Sequence, residues 1–347
     1  MASAAGTPVF WMAALARLRA MLAGRGRGGW LAVALLLAVS ASAGEGEGRR
    51  ANAAAATERA VSARVRVATL NLENYLLTDR VVDGRFRPDY PKPEAEKAAL
   101  RKVIRTVAPD VLAVQEIGGE AFLEELRGDL AREGFDLPHA AWLDAADPDR
   151  HIAVLSKIPF SEVRCHRDVR FRYFDGEACV KRGMLEVSFP PVDDLPAWTL
   201  FVVHLKSRYT EREDDPASQL RRAREARALR DIIRKRFPDP TRARYLIAGD
   251  FNDSPGAAPV RAFLRCGDVE LGRLVPAADS RGETWTHVYR REDIYSRVDY
   301  LIAAPGLWAR VVGGSGRIFD GEGAREGSDH RLVFLDLSTV PAGPAEE

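Results

Sequence analysis

Residues 245–253 read YLIAGDFND, an apolar run of strand length that ends abruptly in polar residues. The run 245–248 is typical of a buried β-strand, and Gly249, Asp250 and Asn252 follow it directly. Taken alone, such an ending is compatible with an ordinary Asx-type turn. It becomes informative because several other strand-like runs of the chain end in the same way.

Seven further apolar runs have the length of strands: VRVATL (65–70), VLAV (111–114), IAVL (152–155), MLEVSF (184–189), WTLFVV (198–203), VDYLIA (298–303) and LVFLDL (332–337). Polar residues stand at one end of five of them: Asn71, Gln115-Glu116, His204, Asp299 and Ser328-Asp329-His330. Some of these residues follow a run and others precede it, so antiparallel neighbours would bring the ends to one edge of the sheets. We therefore expect these side chains to share one cleft with Asp250 and Asn252.

Helical periodicity occurs in three stretches, with apolar faces at 95–107, 122–130 and 223–233. A proline or glycine follows each stretch and predicts where the helix ends. Strands often succeed one another without a helix between them, which favours antiparallel pairing. The predicted fold is therefore α+β, with two packed, mainly antiparallel sheets and outer helices.

No linker divides the chain beyond residue 64, and we predict one catalytic domain over residues 64–338. Residues 44–63 are rich in Ala, Gly, Glu and Arg and lack aromatic residues, which is typical of a flexible leader. Residues 339–347 are interpreted as a polar tail that contains prolines.

Residues 1–43 have the organisation of a secretory signal peptide. Four arginines precede the uncharged run WLAVALLLAV (30–39), and small residues follow it. Ala41 and Ala43 are placed for cleavage before Gly44. Because the run is shorter than the ~20 apolar residues that span a bilayer, no stable membrane anchor is expected. The sequence predicts export to the periplasm or the extracellular space, with an uncleaved anchor as the alternative.

The composition is typical of a globular protein: 29% of the 347 residues are charged and 46% are hydrophobic. These values exclude a disordered, collagen-like or polytopic membrane chain. The net charge of +1 provides no overall field that attracts nucleic acid or an anionic membrane. A polyanion must therefore bind at a local patch.

The three cysteines fit an exported protein in part. Cys165 and Cys179 are close enough in sequence to close one loop, and an oxidising compartment would favour a disulfide between them. Cys266 is then left over and is interpreted as a buried, small apolar residue. The cysteine and histidine spacings do not predict a zinc site.

The residue types at the predicted cleft indicate chemistry at a hard metal ion. Oxygen ligands such as Glu116 suit Mg²⁺, Mn²⁺ or Ca²⁺ rather than a metal that prefers thiolates. Imidazoles and carboxylates in one place can supply a base, an orienting partner and a donor to a developing negative charge. Each residue also has a structural interpretation, for example His204 as a core histidine. The sequence contains no G-x-S-x-G, Walker or H-E-x-x-H motif, so the chemistries that need those motifs have no support.

Seven short motifs occur in an order that resembles the endonuclease/exonuclease/phosphatase superfamily: TLNLEN (69–74), VQE (114–116), VVHLKS (202–207), AGDFND (248–253), TWTH (284–287), RVDYL (297–301) and SDHRLV (328–333). The resemblance covers roughly residues 64–337 and implies a DNase I-like fold, a four-layer α/β/β/α sandwich. The chain looks most similar to secreted bacterial nucleases of this superfamily. Mg²⁺ is the cofactor that this resemblance implies, with Mn²⁺ or Ca²⁺ as alternatives.

The resemblance also implies the metal ligands. Glu116 would be the main ligand of a divalent ion, with help from Asn71. Asp329 would bind a metal directly or through water.

Five further residues take catalytic roles by resemblance. Asp299 would orient His330, and this pair would activate water or hold the scissile phosphate. Asp250 would orient or deprotonate the attacking water, and Asn252 would bind a phosphoryl oxygen. His204 would donate to the phosphate or to the leaving oxygen.

Two basic residues are candidates for substrate binding. Arg182 is interpreted either as a phosphate contact or as a structural residue. Lys206 lies two residues after His204, so on a continuing strand it would point the same way and could touch phosphate. Members of the superfamily usually give the equivalent of His204 a carboxylate partner, for which Asp149 is the candidate here.

Nucleic acid is the substrate we expect, with DNA first and RNA as an alternative. The segment 219–245 contains ten basic residues that could follow a phosphate backbone if they lie on an exposed helix face. The alternative is a solvated helix whose arginines pair with Glu225, Asp231 and other acids.

Two other functions stay open. A phosphatase or phospholipase C-like phosphodiesterase acts on small or lipid phosphates, and the lipid-directed form would need an apolar hairpin beside the cleft. No exposed aromatic-rich loop of that kind is evident in the sequence. A non-catalytic secreted binding protein on the same fold would not need the whole set of site residues. No protein partner is implied, and we expect a monomer.

Overall fold

The structure, a computed structural model, describes residues 63–210 and 212–340. The predicted signal peptide and most of the predicted leader lie outside the described residues, as does most of the tail. Within the described ranges, no helix has both the length and the apolar character that a membrane span requires.

Seven strands form the first sheet: β1 (Arg64–Tyr75), β4 (Val111–Ile117), β5 (His139–Leu143), β6 (His151–Ser156), β16 (Ala277–Ala278), β20 (Gly316–Ile318) and β21 (Val333–Ser338). They are hydrogen-bonded in the order β16-β20-β21-β1-β4-β6-β5. Six strands form the second sheet: β7 (Glu162–His166), β10 (Met184–Phe189), β11 (Trp198–His204), β12 (Tyr245–Asp250), β15 (Arg273–Leu274) and β19 (Asp299–Ala303). Their order is β15-β19-β12-β11-β10-β7. All eight runs predicted as strands are confirmed.

Four two-stranded hairpins complete the β-structure: β2 (Thr78–Val82) with β3 (Arg85–Tyr90), β8 (Arg170–Tyr173) with β9 (Gly176–Cys179), β13 (Arg265–Cys266) with β14 (Val269–Glu270), and β17 (His287–Tyr289) with β18 (Ile294–Ser296). The sequence patterns did not predict these hairpins, because their strands are short and bury few side chains.

The helices among the described residues are α1 (Glu94–Val107), α2 (Glu120–Arg132), α3 (Gln219–Arg236), α4 (Ala258–Leu264) and α5 (Pro305–Trp308), with 3₁₀ turns at Pro216–Ser218 and Val312–Gly314. The first three were predicted from their apolar periodicity and are confirmed. Helix α1 begins with two glutamates in its first turn, which suits the positive end of the helix dipole. It ends at Ala108, which is left-handed and precedes Pro109.

Side-chain alternation along the strands assigns each residue to a layer. In β1, Val65 and Val67 belong to the core between the two sheets, whereas Ala68 and Leu70 pack with helices α1 and α2 on the outside. The second sheet buries its inner face in the same central core and its outer face against α3 and α4. The four layers are therefore α/β/β/α, as predicted.

Two parallel pairs interrupt the otherwise mainly antiparallel sheets at the place where the site forms. Strand β1 runs parallel to β4, and β11 runs parallel to β12, so each pair ends at the same edge. The antiparallel neighbours β21 and β19 begin at that edge. The polar residues at these strand ends are thus collected along one side of the sandwich.

The structure differs from the sequence interpretation at three places. Cys165 and Cys179 are both free; Cys165 lies in β7 of the second sheet, and Cys179 belongs to the separate β8–β9 hairpin. Cys266 is half-buried in a two-stranded hairpin instead of being part of the core. Thr339, which was placed in the tail, is buried, and its N–H donates to the carbonyl of Ala63 at 3.0 Å.

Candidate active site

Four site residues lie on the face of their strands that points between the two sheets. Asn71 continues the inward-facing positions of β1, and His204 continues those of β11. Asp250 and Asp299 do the same in β12 and β19, where they are directly opposite each other. All four are almost completely buried. The sandwich therefore opens at this edge onto a polar layer.

Gly249 allows β12 to carry Asp250 into this layer. Its φ is +140°, and an added Cβ would lie only 1.9 Å from the carbonyl oxygen of Val203 in the neighbouring strand. A side chain at this position would separate β11 from β12. The close approach of β11 and β12 thus requires a glycine at this position of the AGD motif, and the same strand pairing keeps Asp250 beside His204.

Asp250 is at the centre of the cluster. Its Oδ2 accepts a hydrogen bond from Asn71 Nδ2 at 3.2 Å and lies 3.6 Å from His204 Nε2 and 4.0 Å from His330 Nε2. Burial, followed by the nearby Asp299 carboxylate, raises the pKa of Asp250 to about 7. A carboxyl group with this pKa can accept or hold a proton near neutral pH.

Glu116 reaches the cluster because the backbone of β4 is irregular. The register with β6 shifts between Gln115 and Ile117, and Glu116 adopts the left-handed region with φ +59°. Its Oε1 accepts from Asn71 Nδ2 at 3.3 Å, and its Oε2 accepts from the backbone N–H of Asn74 at 3.0 Å. The side-chain amide of Asn71 therefore donates hydrogen bonds to the carboxylates of both Glu116 and Asp250.

Asp299 and His330 form a buried pair. Asp299 Oδ2 lies 2.8 Å from His330 Nδ1, and Thr286 Oγ1 accepts the backbone N–H of Asp299 at 3.1 Å. Burial alone would lower the pKa of His330, but the carboxylates of Asp299, Asp250 and Asp329 raise it well above its ordinary value. His330 can therefore donate a proton or a charged hydrogen bond from Nε2.

His204 is held in the neutral form. Burial, together with the charge of Arg182, lowers the pKa of His204 well below its ordinary value. Its Nδ1 is buried and has no hydrogen-bond partner among the residues that the structure describes. Asp149 is exposed and does not supply that partner. The carboxylate in this region that faces inward is instead Asp147, which bonds to Arg182 at 3.4 Å.

Arg182 supports the end of β11. Its guanidinium donates to the carbonyl oxygens of His204 at 3.2 Å and Leu205 at 2.6 Å. Lys206 does not continue the strand, because β11 ends at His204. Its ammonium nevertheless lies beside the site, where it donates to Ser207 Oγ at 3.2 Å and to the carbonyl of Tyr209.

Asn252 closes the turn that follows β12. Its φ is +53°, and its backbone N–H donates to Asp250 Oδ1 at 2.7 Å. Its side-chain amide donates to Leu205 O at 3.0 Å and to Asp250 Oδ2 at 3.1 Å. Residues 250–252 therefore form the Asx-type turn that was one interpretation of their sequence. The turn also places the Asn252 amide at the cleft.

Asp329 lies on the loop before β21 with partners that were not predicted. Its Oδ2 lies 3.6 Å from His287 Nε2, and its backbone N–H donates to Glu73 Oε2 at 2.9 Å. His287 and Glu73 are within the TWTH and TLNLEN motifs, which provided the signal for finding them. The ring of His287 is 4.7 Å from that of His330, so the site contains a third histidine.

The sequence profile of the Endonuclease/Exonuclease/phosphatase family matches residues 68–330. The chain belongs to this family. Its members are metal-dependent hydrolases that act on phosphoric esters. No curated protein sequence matches the chain significantly.

Solved structures of other proteins share the fold at low sequence identity. The family protein from Bacteroides vulgatus is 16% identical, with a TM-score of 0.56 over 79% of this chain and 98% of that one. Sphingomyelinase C from Streptomyces griseocarneus is 16% identical, with a TM-score of 0.54 over 79% and 99% of the two chains. A magnesium-bound beta toxin from Staphylococcus aureus is 14% identical, with a TM-score of 0.53 over 79% and 99%.

The residues at this edge fit the divalent ion that the family uses. Among the described residues, no Lys or Arg side chain forms an ion pair with Glu116, Asp250 or Asp299. Several carboxylates thus converge without a strong cation, and their oxygens are the ligands that hard divalent ions prefer. Glu116 and Asp329 are the partly accessible members, with 18% and 27% of their side chains exposed, and are best placed to bind the ion. A bound ion would stabilise negative charge on phosphoryl oxygens.

Asn71 contributes orientation in this arrangement. Its Oδ1 accepts the backbone N–H of Glu73 at 3.0 Å, so the amide nitrogen is the group directed at Glu116 and Asp250. The structure therefore brings together all eight predicted catalytic and metal-site residues. It gives Asn71 the geometry of a residue that orients a ligand.

Proposed function

We propose that this protein is an exported, divalent-metal-dependent phosphodiesterase that hydrolyses nucleic acid, with DNA as the first substrate and RNA as a further one. The observation that carries the proposal is the buried Asp299–His330 pair, which faces Asp250 beside Glu116 at one sheet edge. This set provides a protonated donor, a carboxyl group with a pKa near 7 and a ligand for the ion.

Each side chain has a defined part in the proposed reaction. Asp250 orients the attacking water and takes its proton, while Asn252 binds a phosphoryl oxygen through its amide. Protonated His330, held by Asp299, donates to the phosphoryl group whose negative charge grows in the transition state. Neutral His204 can donate only a neutral hydrogen bond from Nε2, which suits a contact to phosphate or to the leaving oxygen.

An aromatic cavity beside the catalytic residues supports a nucleotide as substrate. It has a volume of about 590 Å³ and lies next to Asn252 and His287. Tyr209, with 72% of its surface exposed, and Tyr289, with 42% exposed, form part of its wall. Exposed aromatic rings of this kind can stack on bases.

The basic helix provides less support than its sequence suggested. In α3, Arg221 pairs with Glu225 at 3.4 Å and Arg230 pairs with Asp231 at 2.9 Å. Arg222 is buried against Asp253 at 3.0 Å. These pairs correspond to the alternative of an internally neutralised helix, so α3 is not required for the proposal.

A phospholipase C-like activity on lipid phosphates is the second candidate, because one observation favours it. The β17–β18 hairpin carries His287 of the site and exposes Tyr289, Ile294 and Tyr295 by 42–48%. The expectation that no such hairpin lies beside the cleft is therefore wrong. In the sequence, the polar residues of the turn separate Tyr289 from Ile294 and Tyr295, so no continuous apolar run indicates the patch. Phosphatase activity on small phosphates and a binding function stay as further alternatives.

Hydrolysis assays separate these candidates. The purified full chain is incubated with plasmid DNA, RNA, sphingomyelin vesicles or a small chromogenic phosphodiester, each with Mg²⁺ or with EDTA. We expect Mg²⁺-dependent cleavage of DNA, at least a hundredfold slower in His330→Gln and unchanged in the matched control His139→Gln. Faster hydrolysis of sphingomyelin would support the lipid enzyme, and no hydrolysis of any substrate would leave the binding protein.

Export is part of the same proposal. The basic flank, the apolar run and the small residues at 41–43 support cleavage before Gly44. N-terminal sequencing of the protein recovered from the periplasm or the medium tests it. A chain that keeps residues 1–43 in the membrane fraction would contradict it.

A further inference from the structure

A second cavity adjoins the catalytic centre and differs in charge from the aromatic one. It has a volume of about 360 Å³, and Glu116 and His204 form part of its wall. Four basic side chains line it: Arg150, Lys181, Arg182 and Lys206. We call these four residues and the space between them the cationic pocket. Only Glu116 and Asp147 contribute carboxylates to its lining.

Three of the four cations have no carboxylate partner. Arg150 Nε donates to the amide oxygen of Asn74 at 2.8 Å, and the Lys206 ammonium donates to oxygens of Ser207 and Tyr209. The backbone N–H of Lys206 donates to the buried Glu225 carboxylate at 2.8 Å. The Lys181 ammonium forms neither a hydrogen bond nor an ion pair with any residue in the described part of the chain, whereas the backbone carbonyl of Lys181 accepts the N–H of Asp147 at 2.8 Å. Of the four charged groups, only the Arg182 guanidinium has a carboxylate oxygen of a described residue within 4.0 Å, namely that of Asp147.

Some arginines elsewhere in the described residues are neutralised by carboxylates, whereas others, such as Arg244 and Arg297, donate only to backbone carbonyls. Arg101 contacts three carboxylates, and Arg236 contacts Glu186 and Glu162. Half-buried cations that face a cavity without partners favour an anion there, because their charges repel one another until an anion binds. Guanidinium and ammonium groups together are typical ligands of phosphate oxygens.

We propose that the cationic pocket binds a second anionic group of the substrate, a phosphate adjacent to the scissile phosphodiester. This inference rests on the proposed function for the position of the scissile group between Glu116 and His330. The pocket shares Glu116 and His204 with the catalytic centre, so a substrate can occupy both at once. The aromatic cavity meets it at Ser207 and Tyr209, which line both spaces.

The proposal defines the class of substrate. A strand of nucleic acid carries a phosphate on the neighbouring nucleotide, and that phosphate would pair with Lys181 and Arg150. A choline headgroup carries a quaternary ammonium, which these cations would repel. The two adjoining cavities thus suit a substrate with a flat apolar group in one and a second negative charge in the other.

Binding measurements test the pocket separately from catalysis. The full chain, in EDTA so that no cleavage occurs, is titrated with thymidylyl-thymidine and with its forms phosphorylated at the 5′ or the 3′ end. We expect one phosphorylated form to bind about tenfold more tightly than the unphosphorylated dinucleotide. In Lys181→Gln and in Arg150→Gln, this advantage should fall to threefold or less.

Lys235→Gln is the matched control, because it removes the same charge from an exposed position at the far end of α3. It lies about 20 Å along the helix from Arg222, which contacts the loop of Lys206, and it should keep the full advantage. No advantage for either phosphorylated form, or one that persists in both pocket variants, would overturn the proposal. Choline, which carries the quaternary ammonium without a phosphate, would also overturn it if it bound as tightly as the better phosphorylated dinucleotide. Separate Mg²⁺ assays of dinucleotide cleavage report on the proposed function, so a tenfold advantage without cleavage would refute only that function.

Discussion

Asp299→Asn is the change whose consequences the structure defines most closely. The substitution keeps the size of the side chain and replaces the carboxylate that lies 2.8 Å from His330 Nδ1. Both residues are buried, so water cannot restore the lost interaction. A hydrogen bond to a charged group contributes roughly 1.5–3 kcal/mol, and its loss in the transition state corresponds to about a 10- to 100-fold lower kcat.

The pH dependence provides a second, independent readout. Asp299 is the main group that raises the pKa of His330, so the variant should lose the protonated imidazole at lower pH than the wild type. The alkaline limb of the kcat profile should therefore move to lower pH. Hydrolysis of a small phosphodiester at saturating Mg²⁺ between about pH 5 and pH 10 measures both effects.

Protein stability should follow the same linkage. A histidine whose folded pKa is raised stabilises the fold fully below its unfolded pKa of about 6.5, and this contribution is lost as pH rises through the folded value. In EDTA, the difference in unfolding free energy between wild type and Asp299→Asn should be largest under acidic conditions and shrink at alkaline pH. Asp336→Asn is the control. Asp336 lies on another part of β21, and its substitution weakens the ion pair with Arg66 but should leave kcat unchanged. An unchanged kcat together with an unmoved alkaline limb in Asp299→Asn would refute the role of the pair.

Three other outcomes are expected. Glu116→Gln should lower Mg²⁺-dependent hydrolysis at least a hundredfold, while its melting temperature measured in EDTA stays within a few degrees of the wild-type value. Near-normal activation of this variant by Mg²⁺ would contradict the role of Glu116 as a metal ligand. Gly249→Ala should lower the free energy of unfolding, measured in denaturant melts, by about 2 kcal/mol or more, because the new Cβ would lie 1.9 Å from a carbonyl oxygen. Gly128 lies in a helix with open space around it, so Gly128→Ala should raise the free energy of unfolding slightly. Cys165 is free, so dithiothreitol should leave the melting temperature unchanged, and a large decrease would indicate a disulfide.

Much of the fold could be predicted because its signals are local. The run 198–203 is apolar except for Thr199, which is typical of a strand buried on both faces, and it forms β11. The three long helices show the same correspondence between periodicity and structure. The hairpins could not be predicted, because their strands have only two to six residues, most of whose side chains are not buried, and such segments carry no clear periodic signal.

The sequence allowed us to predict which residues form the candidate site but not which partner each side chain contacts. The motifs identified the eight residues that meet at the sheet edge, yet the partner of His204 was sought at Asp149, which is exposed. The inward carboxylate, Asp147, lies two residues away and serves Arg182 instead. Loop conformation decides which of two neighbouring acids faces inward, and sequence spacing carries no information about it.

The alternation of side chains along each strand is enough to assign the polar residues to a face of the sheet. Asn71 follows the inward alternation of β1, and Asp250 follows that of β12, because a strand turns its side chains to opposite faces with period two. Tertiary structure alone decided how the two sheets align, so that Asn71 Nδ2 meets both Glu116 and Asp250. It also decided the left-handed backbone at Glu116, which a local pattern does not specify because only long-range packing maintains such a conformation.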